Sequence, residues 1–569
     1  VHHHQFAADA LLHLYLMSKI PAQASLRPTI FARVTGVVEM LSIWRFQVLF
    51  LLLLVQAAAF CTQGIWVEDF WEHSAAVNEF IQRPLHPTHP QLSLSAPHPF
   101  LNPYAFVVAQ FARLVHLDAI NALALFGVLN FCLFCYGLRA FIASLLITSR
   151  NALTEHEQKR NAIQHDHIAF YALLFILFLW GGKPWPYSGF FHYQILLMNL
   201  PYPSTFVGGL CLLGLAFNAR HQYERSYTYL IVLIAITSVS LLTHPLTTQF
   251  LLIGYVAQLF SPQPTAPNEA DHRSPLLLRL LKISFISGVS LALATLWPFY
   301  PILELFRGAG GVYDISNGDM YFHLLTRVWP FIVLAPLYLW IMTQSAQRPL
   351  LIIFIVTLAI YAYGYTSERY SFGRIISFSI LCIHLACAVA AFRVEGWLLS
   401  RLAVVTRCSQ LALCLVLLVY FAGSLHASVQ RLLTAANSVW LGRTISNQIT
   451  YKEYLFLFDK VEAGAVVFGN IEVSWVIPSF GPKVVAVDHS LAFVDDFQQR
   501  QQDVFTFFRP NTSLILRQAL LAKYNAQYLL LNKKLDRNWA NIRQQFSSQQ
   551  SNTGSIETDA FVLIALTAK

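Results

Sequence analysis

Directly after the first strongly apolar run stands W-V-E-D-F-W-E-H, residues 66–73. It gathers Glu68, Asp69, Glu72 and His73 beside a membrane surface. Asp69 and His73 are four apart, so a helix puts them on one face. A carboxylate in this place can take a proton from an acceptor hydroxyl or hold a cation. The plainer alternative is a solvated interfacial helix anchored by Trp66 and Trp71.

Other clusters carry polar chemistry of their own. H-P-T-H-P (86–90) and A-P-H-P-F-L-N-P-Y (96–104) hold His86, His89 and His98 among prolines that stiffen a loop. No tetrahedral ligand set is evident there, and a structural turn is the plainer reading. In L-L-T-H-P-L-T-T (241–248), His244 can bond a phosphate or a sugar hydroxyl, or simply cap the helix that Pro245 starts. The segment 304–319 mixes glycines with Arg307, Asp314 and Asp319, as a loop that closes over substrate does, or as an ordinary connector. Y-T-S-E-R-Y-S-F-G-R (365–374) places Glu368, Arg369 and Arg374 at the edge of an apolar run. Charge there is costly to keep idle, and an arginine can grip a phosphate by paired hydrogen bonds or merely snorkel. Lys183, in W-G-G-K-P-W-P-Y (180–187), is a further cation in an aromatic setting suited to sugar rings or a lipid path.

The elements that must position these residues are dictated by composition. The chain has 569 residues, 56% hydrophobic and 12% charged, against ~25% charged in soluble domains. That excludes a soluble enzyme, a disordered chain and a disulfide scaffold. The net charge of +9 is spread through short loops without a basic run, so anchoring at a membrane is expected and nucleic-acid binding is not. Cys132 and Cys135 form C-x-x-C inside an apolar run, where core packing is expected. The Asp495, Asp496 and Asp503 cluster reads as a solvated helix start. The chain opens on Val1 and is only moderately apolar over 1–40, so no function is placed there and an over-extended start is expected.

Apolar stretches fall at 44–65, 119–147, 168–182, 203–217, 226–243, 246–260, 278–300, 328–343, 350–364, 375–392 and 408–425. They predict an α-helical polytopic domain over 41–427 with about 11 spans (range about 10–13), several of them short. Basic residues such as Arg45, Arg139, Arg220, Arg348 and Arg393 fall on one side, expected to be cytoplasmic together with the N-terminus. The long first loop 66–118 and the tail fall on the other side. Segment 103–117 is either a surface or re-entrant helix or a crossing that demands a missed span within 183–200. From about 428 the apolar runs shorten to strand length at 465–469, 483–489, 528–532 and 561–566, with helical patterns at 495–508 and 513–525. A small extracytoplasmic α/β domain over 428–569 is expected. No Gly-rich phosphate motif follows any strand.

Together these parts resemble the GT-C superfamily of polytopic glycosyltransferases. The resemblance rests on the acid after the first span (Asp69 in E-D-F-W-E-H), the Pro-rich P-H-P-F-L-N-P-Y before an amphipathic segment, the His244–Pro245 pair, and the α/β tail. It implies inverting transfer from a polyprenyl-phosphate sugar to an envelope glycan, lipid or protein acceptor on the extracytoplasmic face of a bacterial inner or plasma membrane. By the resemblance Asp69 or its neighbour Glu68 is the catalytic acid position, acting as base on the acceptor hydroxyl. Arg374, with Lys183 or Arg369, stabilises the leaving phosphate. His73, His98, His244, Arg307, Asp314 and Glu368 are candidates for substrate binding. No metal ligands are assigned and no cofactor is required by the resemblance, which leaves a divalent cation open. The alternative is a transporter or flippase for a lipid-linked saccharide. It predicts polar residues in mid-span, of which the sequence has few, and paired halves, of which it has none.

Overall fold

The computed structural model describes residues 43–145, 155–224, 226–261, 275–308, 311, 314–401, 403–440, 451–547 and 555–566. The stretch 1–40 and part of the glycine loop after Arg307 lie outside the described residues.

The apolar runs become helices. Four of them, Ala119–Leu145, Leu276–Thr295, Ser345–Thr366 and Tyr370–Leu398, are long and apolar enough to cross a bilayer. Three bent pairs bring the number to seven if each pair is one span. The expected number of about eleven is therefore not reached by length and composition among the described residues, and the physical reason is helix breaking. Pro201 and Pro203 lie at a 104° bend between Tyr193–Asn199 and Pro203–Gln222. His244 and Pro245 separate Tyr227–Thr243 from the helix that follows. The expected span 168–182 is the end of a helix, Glu155–Phe178, whose first half is polar. The last long helix runs Ala403–Trp440, past residue 427 where the composition changes.

Four elements frame the first loop. Helix α1 (Arg45–Cys61) is followed by a short turn and then α2 (Phe70–Gln82). Helix α3 (Pro103–Val115) starts at Asn102, whose Oδ1 accepts from the Ala105 amide at 3.0 Å, and stops at His116 in the left-handed region. At ~1.5 Å per residue α3 is ~20 Å long, too short to span. It lies against α2 and the long helix α4 (Ala119–Leu145).

The tail forms a mixed five-stranded sheet in the order β2-β1-β3-β5-β4. Strands β1 (Val466–Phe468), β2 (Lys483–Val484) and β3 (Tyr528–Asn532) are parallel, and β4 (Ser555–Glu557) and β5 (Phe561–Ala565) add antiparallel. Polar β4 has no apolar run to announce it. Strand β2 is short, and Val484 turns its amide to the Gln91 carbonyl at 2.8 Å, bridging to Leu92. The first loop thus extends the sheet edge. Tyr451, Phe480, Val484 and Phe561 of the tail share one core with Trp71, Phe80 and Leu92 of the first loop. Asp503 is not solvated but buried, accepting from Lys523 Nζ at 2.6 Å and Tyr524 OH at 2.7 Å.

Candidate active site

Asp69 is the residue immediately before α2, and its carboxylate caps nothing. Glu68 before it sits at φ 51°, a left-handed conformation that costs a non-glycine residue about 1–3 kcal/mol. Three donors hold this turn. Trp475 Nε1 reaches the Glu68 carbonyl at 2.7 Å, the Trp71 amide reaches the same oxygen at 3.1 Å, and Tyr202 OH reaches the Val67 carbonyl at 3.2 Å. Trp66 and Trp71 are not interfacial anchors. Both are buried, with Trp66 stacked on Phe70 at 4.3 Å, because the aromatic side chains of this turn fill the core beneath it.

Three residues after Asp69, on the same side of α2, Glu72 is buried. It accepts a hydrogen bond from His489 Nε2 of the tail and lies 3.7 Å from His98 Nε2. Burial, and then the charge of Glu72, push the Asp69 carboxyl above its ordinary range, while Arg374 and His489 oppose this. Glu68 is raised by burial and by Asp69. Burial disfavours the charge of His489, but Glu72 and Asp69 outweigh it and raise its pKa.

The other histidines are neutral walls. His73 stacks on Phe100 at 4.4 Å and meets Tyr202 at 5.0 Å, and burial pushes its pKa to about 3. His98 accepts from the Phe100 amide through Nδ1 at 3.2 Å, and burial with neighbouring His489 and Lys483 pushes it to about 3 as well. His89 Nδ1 accepts from the Gln91 and Leu92 amides, closing the Pro-rich turn. His244 caps its helix, with Nδ1 accepting from the Thr247 amide at 3.2 Å, and lies within reach of the charge of Arg374.

Arg374 sits on a 3-10 segment, Tyr370–Ile375. Its Nε donates to Asn317 Oδ1 at 2.7 Å and its Nη1 to Ser188 Oγ at 3.0 Å, with the Tyr187 ring 5.3 Å beneath the guanidinium. Tyr187 OH donates to Asp319, and Arg327 Nη2 lies 3.9 Å from the same carboxylate. Arg327 is buried against Trp185, and its Nε and Nη1 have no hydrogen-bond partner among the described residues. Asp314 accepts from the Ser371 amide at 2.8 Å, tying its segment to that of Arg374. Two separate segments, around 187–188 and 314–319, therefore fix one guanidinium, and it interacts electrostatically with Asp69.

Asp69, His73, His98, His244 and Arg374 come together in this way. Lys183, Arg307, Glu368 and Arg369 do not. Each is exposed, with no side-chain hydrogen bond or ion pair among the described residues. Asp319, picked out with Arg307 and Asp314, is drawn in through Tyr187, whereas sequence reasoning passed over Tyr187, Ser188, Asn317, Arg327, Trp475 and His489. The W-G-G-K-P-W-P-Y motif did contain Tyr187, but its cation drew the attention. Among the described residues, no three His, Cys, Asp or Glu side chains are placed to hold a metal ion. What the arrangement offers is a carboxylate with raised basicity within electrostatic reach of a fixed guanidinium, the parts needed for proton abstraction and anion stabilisation.

No family model matches the sequence, and no curated protein does. Solved structures do match. ArnT from Cupriavidus metallidurans bound to undecaprenyl phosphate matches with a TM-score of 0.50 at 15% identity, over 92% of this chain and 98% of that one. The chain has the GT-C fold. The Archaeoglobus fulgidus oligosaccharyltransferase AglB, in complex with an inhibitory peptide and a dolichol-phosphate, matches with a TM-score of 0.43 at 11% identity, over 86% of this chain and 70% of that one. In this GT-C fold a helical body with candidate membrane spans carries a small mixed sheet at its C-terminal end. Asp69 and Arg374 lie on segments more than three hundred residues apart in sequence.

Proposed function

We propose that the chain is an integral membrane glycosyltransferase. It moves a sugar from a polyprenyl-phosphate donor to an envelope glycan, lipid or protein acceptor on the extracytoplasmic face, with inversion. The observation that carries this reading is the Asp69 carboxylate, raised by burial, within electrostatic reach of the Arg374 guanidinium that Asn317 and Ser188 hold in place. Asp69 takes the proton of the acceptor hydroxyl as that oxygen attacks the anomeric carbon. Attack from the face opposite the leaving group inverts the anomeric centre. Arg374 takes the charge that builds on the departing phosphate, and the Tyr187 ring, 5.3 Å from the guanidinium, packs against it. Arg327, with two donors left over, adds positive potential to the same wall. The fold shared with ArnT, which was captured with undecaprenyl phosphate, supports a polyprenyl-phosphate class of donor.

The test is incubation of the purified protein with a panel of undecaprenyl-phosphate-linked sugars and membrane extract as acceptor. Mass spectrometry should find one donor consumed and undecaprenyl phosphate released. Passage of intact donors across a vesicle bilayer with no such release would instead establish the transporter reading.

A further inference from the structure

We propose that Trp475 and His489 of the tail are positioning residues for Asp69, so that the catalytic centre is built jointly by the first loop and the C-terminal region. This rests on the role proposed above for Asp69.

The two tail residues bracket Asp69. Trp475 Nε1 donates to the carbonyl of Glu68, the residue just before it, at 2.7 Å. His489 Nε2 donates to the Glu72 carboxylate, one turn after it. The two rings brace each other edge to face at 4.3 Å. The first contact fixes a backbone that would otherwise leave the left-handed region, since Glu68 is not a glycine and sits at φ 51°. Loss of that conformation would rotate the peptide that leads into Asp69.

The second contact governs charge. Asp69 faces Glu68 and Glu72 from its own segment, Arg374 from the 3-10 segment at 370–375, and His489 and Tyr202 from elsewhere. His489 itself faces Glu72, Asp69 and Asp488, with the neutral imidazoles of His98 and His89 behind. Without His489 the Glu72 carboxylate loses its hydrogen-bonded partner while still standing beside Asp69. Like charge then favours the protonated, catalytically silent form of Asp69.

The tail is docked by other contacts. Lys483 Nζ bonds Glu79 Oε2 at 2.5 Å, Ser479 Oγ bonds the Trp71 carbonyl at 3.1 Å, and Asn78 Nδ2 bonds the Pro478 carbonyl at 3.1 Å. Substitution of Trp475 or His489 therefore leaves the docking in place.

The experiment uses the full chain in nanodiscs, as wild type, H489Q, W475F and D69N. A water-soluble carbodiimide with an amine nucleophile labels protonated carboxyls, and peptide mass spectrometry reads Asp69 across pH without any donor. The expected result is that labelling of Asp69 in H489Q persists to higher pH by about half a unit or more. With the undecaprenyl-phosphate sugar that wild type consumes, W475F should lose about tenfold or more in kcat while donor KM stays within about twofold. W475F keeps an aromatic ring but loses the five-membered ring of the indole together with its N–H, so a thermal unfolding midpoint equal to that of wild type, recorded beside the kinetics, separates positioning from packing. An Asp69 labelling profile unchanged in H489Q together with an unchanged kcat in W475F overturns the proposal. A D69N variant that still transfers sugar overturns the catalytic reading instead, and the labelling profile decides whether the tail sets Asp69 in either case.

Discussion

Lys483 Nζ lies 2.5 Å from Glu79 Oε2, and this buried contact joins the C-terminal sheet to the helix that follows Asp69. The same ammonium donates to the His89 and Pro90 carbonyls at 2.7 and 3.0 Å, so one side chain of β2 ties both halves of the first loop to the tail. The site is a consequence of that docking, because Trp475 and His489 reach Asp69's neighbours only while the tail is held.

Removing one partner of a buried ion pair leaves the other uncompensated, at about 3–5 kcal/mol. The K483M variant should therefore lower the thermal unfolding midpoint of the detergent-solubilised protein clearly. It should also expose the tail to limited proteolysis. A midpoint equal to that of wild type would show that the pair does not hold the docking.

Arg374 should not tolerate its nearest relative. Lysine cannot reproduce the planar fork that reaches Asn317 and Ser188 together. Turnover by R374K should fall by about 10²-fold, while thermal stability changes little. Steady-state kinetics beside a melting curve checks both halves of this expectation.

The raised pKa of Asp69 gives two signs. Activity should fall on acidification with a midpoint above the ordinary aspartate value of about 3.9, because the base is lost on protonation. For stability, a carboxyl whose folded pKa is raised contributes fully at low pH, and that contribution is lost as pH rises through the folded pKa. At neutral pH the ionised Asp69 thus burdens the fold. D69N should melt at the same temperature as wild type or higher near pH 7, with the advantage vanishing at acid pH. A marked loss of stability in D69N at pH 7 would contradict this.

Part of this was legible in the sequence. Asp69 stood out because acids are dense after the first apolar run, and Arg374 because a charge at an apolar boundary is costly. The strand runs of the tail were legible from their length, except polar β4. His489 left no trace, since its partner Glu72 is 417 positions away and only docking of the tail brings them together. Tyr187 lies in a loop and Asn317 in a short 3-10 segment, where no periodicity marks which side chain turns inward. Arg307 and Arg369 carried the same charge as Arg374 but are exposed, a difference that only tertiary packing makes. Among the described residues four to seven helices have the length and composition of a crossing, because prolines at 201, 203 and 245 shorten or bend helices whose apolar runs read as crossings.

Gly181 offers a test of the loop that carries Tyr187 and Ser188. Its amide donates to the Arg327 carbonyl at 3.1 Å, and a Cβ there would sit 2.1 Å from the Thr326 carbonyl oxygen. G181A should push the loop away from Arg374 and lower turnover by about tenfold or more. G182A, whose Cβ would meet only the Thr326 methyl at 3.7 Å, should leave turnover within about twofold.

The central claim is that Asp69 removes the acceptor proton during sugar transfer. Its most direct test is the rate of undecaprenyl phosphate release by D69N, set beside wild type with the donor that wild type consumes. The account predicts that release by D69N falls to the uncatalysed background in a protein that is folded and retains donor binding. Release by D69N at the wild-type rate would contradict it.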